Sequence, residues 1–250
     1  MFFHEATYDL EELARSNFHI HTSFSACAKR DIKLPAILRE AERSGLERVA
    51  LTDHSPATEK PLMRQIADLK RQYRESGAEL QVLFGAELSA FAPGEHSETE
   101  LTREQLDYRL ASTNHYHMEF WGHPEEKTAA GYKAHNFSIV RALFKAPPRG
   151  RTDCVAHPFY GRFVRALPDE TELTRSITDS ELGDILQEGT RAQVAWELNA
   201  KAVMRDPGFY RRYFNIGRET GAVFNFGTDA HRLEDIDPRP FLEPLRKILL

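Results

Sequence analysis

Histidine, aspartate and glutamate recur along this chain in short clusters, each at the end of an apolar run. Residues 17–27 read NFHIHTSFSAC, which sets His19 and His21 one residue apart and Cys27 six positions after the second. Further on come LTDHS with Asp53 and His54, GAELS with Glu87, and STNHYH with His115 and His117. AHPF adds His157, ELN adds Glu197 and Asn199, and GTDAH adds Asp229 and His231. Six of the eleven histidines fall in these clusters even with His117 set aside. Imidazole and carboxylate together suit zinc, iron or manganese. One such residue says little, because a lone histidine is most often solvated or hydrogen-bonded. The set says more: acids and imidazoles crowded together without a cation would be costly to desolvate. Eight or nine donors, at about four per metal, imply two or three ions with a carboxylate as bridge.

Such donors need a scaffold that delivers them to one place. Short β-type runs (NFHI, RVALT, LQVLFGAEL, YRLAST, DCVAH, VAWELN, VFNFGTD) alternate with helical patterns at 34–46, 61–77, 125–150, 178–189 and 206–221. In the first helix Leu34, Ile37, Leu38 and Ala41 share a face between Pro35 and Gly45; in the second Leu62, Ile66, Leu69 and Tyr73 do so ahead of Gly77. Strand–helix alternation predicts parallel strands with crossover helices. Seven units favour a barrel one strand short of eight, with an open doubly wound sheet as the alternative. Either way function gathers at the carboxyl ends of the strands, where every cluster falls. His-x-His on a strand points both rings to one face. The same alternation puts Glu197 and Asn199 on one face, with Asn199 expected at the pore and Glu197 either there or structural. Residues 91–104 read as a loop, and the charged stretch 160–176 as a cap over the site. Cys154, mid-strand, reads as a small buried apolar residue. Trp121 fits a pocket wall or the surface equally. His4, His96, His123 and His135 sit in loops or on helices and are not expected as ligands.

Composition bounds the rest. The 250 residues, 41% hydrophobic, suffice for one core, and no linker or repeat divides the chain, so one domain over 1–250 is expected. A net charge of −5 argues against a nucleic-acid partner held by overall basic charge. Two cysteines are too few for a disulfide framework and point to a reducing compartment. The start, MFFHEATYDLEELARS, has early acids and no long apolar stretch, unlike a secretory signal. No apolar run approaches the roughly 20 residues of a spanning helix. A soluble, cytoplasmic protein is expected.

In their order and strand context, HIH, LTDHS, GAELS, NHYH, AHPF, ELN and GTDAH resemble the successive motifs of the PHP (polymerase and histidinol phosphatase) superfamily, across residues 17–235. The resemblance implies a distorted (β/α)7 TIM-like barrel with two or three divalent transition metals, zinc, manganese or iron. Carried over motif by motif, His19, His21, Glu87 and Asp229 would hold one metal. Glu87, His115 and His157 would hold a second, with Glu87 bridging, and His54 and His231 would serve a third. His115 is preferred to His117, the spacing there being one residue longer than in other members. Many members carry a histidine six residues after the second motif histidine. Cys27 stands at that position, and a thiolate also binds zinc. Asp53 would be a ligand or would orient an imidazole.

Members of that superfamily include histidinol-phosphate phosphatases, other phosphomonoesterases, phosphodiesterases, and metal-binding domains of some bacterial DNA polymerases. The expected reaction is therefore metal-assisted hydrolysis of a phosphate ester. His231 or Asp53 would supply the leaving-group proton. Lys29, Arg30, Arg162 and Arg232 each closely follow a motif and are candidate phosphate contacts, with Asn199 another. Arg162 is the favoured clamp, because a guanidinium matches phosphate oxygens bidentately. No nucleophile elbow or Gly-rich phosphate loop is visible. A phosphomonoesterase acting on a small metabolite, histidinol-phosphatase-like, is the leading expectation. The alternative is a phosphodiesterase or nuclease, with nucleic acid as its partner. A non-catalytic metal module is less favoured, because the ligand set is nearly complete. No membrane partner is expected.

Overall fold

Among the residues described by a computed structural model (2–55, 59–97, 104–145 and 152–250), the chain alternates strand and helix much as its periodicity predicts. The strands are β1 Ser16–Ile20, β2 Arg48–Leu51, β3 Gln81–Ala92, β4 Glu95–His96, β5 Tyr108–Ser112, β6 Cys154–Ala156, β7 Ala195–Asn199 and β8 Phe224–Gly227. Seven of them run parallel in the order β1-β2-β3-β5-β6-β7-β8, and β4 pairs antiparallel with β3 off that path. The ends meet just beyond β8, where Ala230 bridges to Ile20; His21 N donates to Ala230 O at 2.9 Å and Ala230 N to His19 O at 3.1 Å. The molecule is one α/β domain, a nearly closed seven-stranded parallel barrel flanked by helices, and the open-sheet alternative falls with that closure.

The flanking helices form where the sequence carries caps. Helix α2 (Leu34–Arg43), after a short α1 (Leu10–Leu13), has proline in its first turn and buries Leu34, Ile37, Leu38 and Ala41. The backbone leaves it through Gly45 at φ 73°, a left-handed position that suits glycine. Helix α3 is Glu59–Ser76. Helix α4 is Ala129–Phe144, later in starting than expected because Thr128 caps it by accepting from Gly131 N; the Pro-Pro-Arg-Gly stop at 147–150 lies outside the described residues. A short α5 (Glu172–Arg175) precedes α6 (Asp179–Ala192), which opens on a capping box between Thr178 and Glu181. Two more helices, α7 (Ala200–Arg205) and α8 (Pro207–Thr220), flank the turn at Asp206. The last, α9 (Arg239–Leu249), has proline in its first turn, Asp237 accepting from Arg239 N at 3.0 Å just ahead of it, and is held by buried Leu245 and Leu249.

The stretch 91–104 is not wholly a loop. Strand β3 runs on through Phe91 and Ala92, turns at Gly94 (φ 83°) and returns as β4; residues 98–103 lie outside the described residues. Small and apolar side chains after Glu87 let the strand continue, and the glycine permits the turn.

Two features of packing place the site. Phe18, Ala50, Leu83, Tyr108, Leu110, Cys154, Ala156, Ala195 and Val223 form one buried cluster. Residues from so many strands meet only inside the ring, so the lower barrel is filled and Cys154 is part of its packing. Strand β1 also slips register against β2 between Asn17 and Ile20. That bulge lets Phe18 fill the core while His19, the next residue, also turns inward above it. Irregular pairing of this kind re-aims side chains next to active sites.

Candidate metal centre

Glu87 is the middle of the arrangement. Main-chain bonds pin it to the extension of β2, with Glu87 N donating to Asp53 O at 3.0 Å and Ser55 N to Glu87 O at 3.0 Å, and His54 forms a bridge beside it. On its other side Glu87 pairs with Leu110 of β5. Its two carboxylate oxygens face different sets of rings. Oε2 lies 3.0 Å from His54 Nδ1, 3.5 Å from His21 Nε2 and 3.6 Å from His19 Nε2. Oε1 lies 3.2 Å from His157 Nε2 and 3.6 Å from His115 Nε2, and accepts from Ser112 Oγ. Asp229 brings Oδ1 to 3.1 Å from His21 Nε2 and 3.3 Å from His19 Nε2. Cys27 Sγ lies 3.1 Å from His231 Nε2.

Four overlapping donor groups result among the described residues: His19, His21 and Asp229; His19, Glu87 and His157; His54, Glu87 and His115; and His21, Cys27, His54 and His231. Within each, the ligand atoms lie within 4.8 Å of one another. Tetrahedral ligands at bond lengths of about 2.0–2.1 Å stand about 3.3 Å apart, which is the spacing of the tightest contacts here. His157 and Asp229 reach the site with backbone φ of 25° and 49°, a left-handed conformation uncommon outside glycine. Such strain persists where the surrounding structure enforces it, most often at functional sites.

The tautomers show that the donor set fits a cation. His19 Nδ1 lies 2.8 Å from Glu197 Oε1, so it carries the proton and donates. His21 Nδ1 lies 3.2 Å from Ser25 Oγ, whose own hydroxyl proton goes to Asp53 Oδ1 at 2.6 Å, so this Nδ1 also donates. Both Nε2 atoms are then lone-pair bearers, and they face each other at 3.2 Å. Two lone pairs at that distance repel unless a proton or a metal ion lies between them.

The electrostatics describe the proton version of that answer. Burial opposes charge on His54, yet the Glu87 carboxylate and the hydrogen bonds His54 donates to Cys27 and Glu87 hold it up to about 11. His19 is likewise raised against its burial, by Glu197 and Asp229. Burial takes His21 down to about 4 and His115 to about 3, helped by neighbouring imidazolium charge. Glu87 stays far below the usual carboxylate range despite burial, because His54, His157 and His19 surround it. Burial would raise the Cys27 thiol, but hydrogen bonds with His231 and His54 bring it down to about 6. Protons thus occupy, in the metal-free protein, places that a divalent ion would take.

Several side chains stand differently from their expected roles. Asp53 is turned away from the donors: its oxygens accept from Thr22 N at 2.8 Å, Thr22 Oγ1 at 2.7 Å and Ser25 Oγ. Of the two placements expected of it, ligand or orienting partner, it takes the second, holding His21 through Ser25, and it belongs to none of the four donor groups. Asn199 is not free to contact substrate, since Oδ1 caps α7 at Ala202 N and Nδ2 donates to Glu197 at 3.0 Å. Glu197 proves to be the pore carboxylate of β7. It accepts from His19, Asn199 and the His157 main-chain N–H, and a Cβ at Gly227 would collide with it. Carboxylates that hold a ligating imidazole this way are worth about 10–100-fold in metal affinity. Glu197→Gln should weaken metal binding by that factor in competition with a chromophoric chelator; unchanged affinity would show that His19 is oriented without it.

His117 lies outside the donor groups, with its ring stacked on Phe163 at 4.7 Å, whereas His115 reaches Glu87. Phe163 also stands edge-on to His115 at 4.9 Å and to His157 at 5.9 Å. The 160–176 stretch therefore covers the centre through a ring that no sequence pattern singles out. Arg162 is exposed on the 3-10 turn Gly161–Phe163, close enough to His117, as is Arg165, for their charges to lower that imidazole below its ordinary value, after burial. Trp121 is buried against His115, 5.5 Å between ring centres. Lys29 and Arg30 are exposed on the loop after β1, and Arg232 reaches towards Glu234 at 3.8 Å. His4, His96, His123 and His135 lie outside the donor groups found among the described residues. No helix among those residues is long and apolar enough to cross a membrane.

Comparison with known proteins bears on this geometry. No curated protein sequence matches the chain. Among solved structures, the "putative histidinol phosphatase hisK from Listeria monocytogenes" superposes with a TM-score of 0.62 at 13% identity, over 88% of this chain and 97% of that one. At that identity the likeness establishes the fold. A family 5 xyloglucanase from Paenibacillus pabuli aligns over 96% of this chain and 100% of its own, at 7% identity and a TM-score of 0.34, too low to bear on the site. The model of the PHP domain matches residues 17–189, from the bulged strand β1 into α6. That span, more than half the chain, carries His19, His21, Cys27, His54, Glu87, His115 and His157, and barrel closure returns Asp229 and His231 to them; the chain belongs to the PHP domain family.

Proposed function

We propose that this protein is a metal-dependent hydrolase of phosphate esters, and that its substrate is a small metabolite carrying a phosphomonoester, of the histidinol-phosphate kind. The observation that carries the reading is Glu87, whose two oxygens address two separate sets of imidazoles as a bridging carboxylate does. His19, His21, Asp229 and Glu87 would hold one ion, Glu87, His115 and His157 a second, with Glu87 shared between them, and Cys27, His54 and His231 a third. Zinc, manganese or iron in these places would polarise the phosphoryl oxygens and make water acidic enough to attack near neutral pH. The chain's own groups do the rest. Arg162 at the mouth meets the phosphate oxygens, and Phe163 keeps bulk water from the rings beneath it. His231, half-buried, has Nδ1 anchored on Asp229 O at 2.9 Å and Nε2 facing Cys27 Sγ at 3.1 Å, so both ring nitrogens are committed and it would serve the third ion rather than the leaving-group proton. The neighbour from Listeria monocytogenes, whose printed name is that of such a phosphatase, supports the substrate class. Two unpaired cysteines fit a cytoplasmic, reducing setting.

The test is a panel of phosphomonoesters and phosphodiesters assayed with manganese, zinc and iron. Turnover of monoesters in preference to diesters is the expected result. Preference for diesters would move the assignment to a phosphodiesterase, and turnover of neither by metal-loaded protein would overturn it.

The third site can be tested separately. Cys27→Ala should remove one ion per chain selectively and leave the pair at Glu87, while Cys27→His should restore it, since imidazole binds at a similar bond length. Unchanged metal content and turnover in Cys27→Ala would mean that two ions suffice and that the thiol only packs against His231.

A further inference from the structure

The loop after β1, residues 22–32, has two sides. One side carries Ser25 and Cys27 to the metal centre. The loop is fixed there by Lys29 N donating to His231 O at 2.9 Å and Ser23 N to Ile32 O at 2.9 Å. The other side forms one wall of a groove of about 740 Å³, closed by the first turns of α2 and by α3. Its floor is apolar, with Leu34, Pro35, Ala36 and Leu69, and Phe24 stands exposed at its edge. Its charged residues are Arg30, Lys33 and Arg39 against one carboxylate, Asp31. Elsewhere Arg43 pairs with Glu40 and Arg175 with Asp169. Among the described residues none of the four charged groups in the groove makes an ion pair.

We infer that this groove is a second anion subsite, holding a phosphate that is not the one hydrolysed and that is joined to it through an apolar spacer. The inference rests on the phosphoesterase reading and narrows its substrate class. Guanidinium and ammonium groups without internal partners supply the charge for phosphate oxygens. The apolar floor and Phe24 supply the surface for a spacer, in the usual proportion of a ligand pocket. The shared loop keeps the two phosphates at a fixed separation, because Thr22, which lines the groove, is the residue directly after His21.

The experiment compares α,ω-alkanediol bisphosphates of increasing length with the matching alkyl monophosphates, in wild type and in a Lys33→Ala/Arg39→Ala variant. Wild type should show a KM lower by at least about tenfold for a bisphosphate of suitable length, the scale of one charged hydrogen bond. In the variant that advantage should collapse, and Lys33→Arg/Arg39→Lys should restore most of it. Equal KM values for the two series in wild type, or an advantage that survives the double substitution, would overturn the inference while leaving ester hydrolysis intact. A second readout needs no turnover: inorganic pyrophosphate titrated calorimetrically into chelator-treated protein should bind wild type and lose at least about tenfold in affinity in the variant. If pyrophosphate binding depends on Lys33 and Arg39 but no ester is hydrolysed, the subsite stands and the phosphoesterase reading fails. Pyrophosphate binding that ignores both residues counts against the subsite.

Discussion

Glu87→Ala is expected to abolish phosphoester turnover, with a loss of about a thousandfold or more, since losing even one preorganised electrostatic contact costs about 10²–10³. The reason is that a single carboxylate serves two sets of donors. Its removal leaves His54, His21 and His19 on one side and His157 and His115 on the other with no anion between them. Metal content should fall with activity. Stability should fall as well, by about 3–5 kcal/mol, the cost of breaking a buried ion pair by deleting one partner. Glu87→Gln keeps the shape and removes the charge, so it separates packing from electrostatics: the activity loss should persist while part of the stability returns. His123→Ala is the control, because His123 bonds Tyr132 OH at 2.9 Å and stands outside the donor groups. Equal effects from Glu87→Ala and His123→Ala would show that strand-end position does not select the functional groups.

Removal of the metals from wild type should have the next largest effect. An ion present at a thousand times its dissociation constant stabilises the fold by about 4 kcal/mol, which for a domain of this size is a melting-temperature shift of about 10 °C. The shift should depend on pH in a definite direction. In the metal-free protein His54 titrates at about 11 against an ordinary 6.5, so its contribution to stability is full below pH 6.5 and fades as pH rises toward 11. Glu87 is displaced downward from 4.5, so its contribution is full above pH 4.5 and is lost in acid. His21 and His115, held down to about 4 and about 3, favour the unfolded chain as pH falls below 6.5, so the chelated protein should be most stable near pH 6.5, the upper of those two ordinary values. Metal binding must displace the protons on His54 and His19, so affinity should rise with pH and uptake at neutral pH should release protons. The gap in melting temperature between loaded and chelated protein should widen from pH 6 to pH 9. A gap that narrows over that range, or metal uptake without proton release in buffers of differing ionisation enthalpy, would contradict this reading.

Much of the site is legible in the sequence because two simple regularities carry it. Strands alternate their faces, and parallel barrels gather function at the carboxyl ends of strands, so the residues closing each apolar run point to His19, Glu87, His157 and Asp229 without coordinates. The parts that escape depend on contacts across the ring or on local irregularity. Glu197 meets His19 at a separation of 178 residues, and no local pattern says which partner its carboxylate finds. The bulge in β1 sets two consecutive residues, Phe18 and His19, inward, which a strict period of two does not allow. Phe163 covers the histidines from a stretch readable only as charged and long. Asn199 is legible as a pore-side residue but not as a substrate contact: it stands just before the helix-forming run AKAV, where an asparagine caps, and the structure uses it so.

The central claim is that these strand ends form one multinuclear metal centre with Glu87 as its bridge. Elemental analysis of protein prepared without chelators, run side by side on wild type and Glu87→Ala, tests it most directly. Two or three transition-metal ions per wild-type chain, with a loss of the pair in the variant, is the expected result. Fewer than one ion per wild-type chain, with no uptake on reconstitution with zinc, manganese or iron, would contradict it.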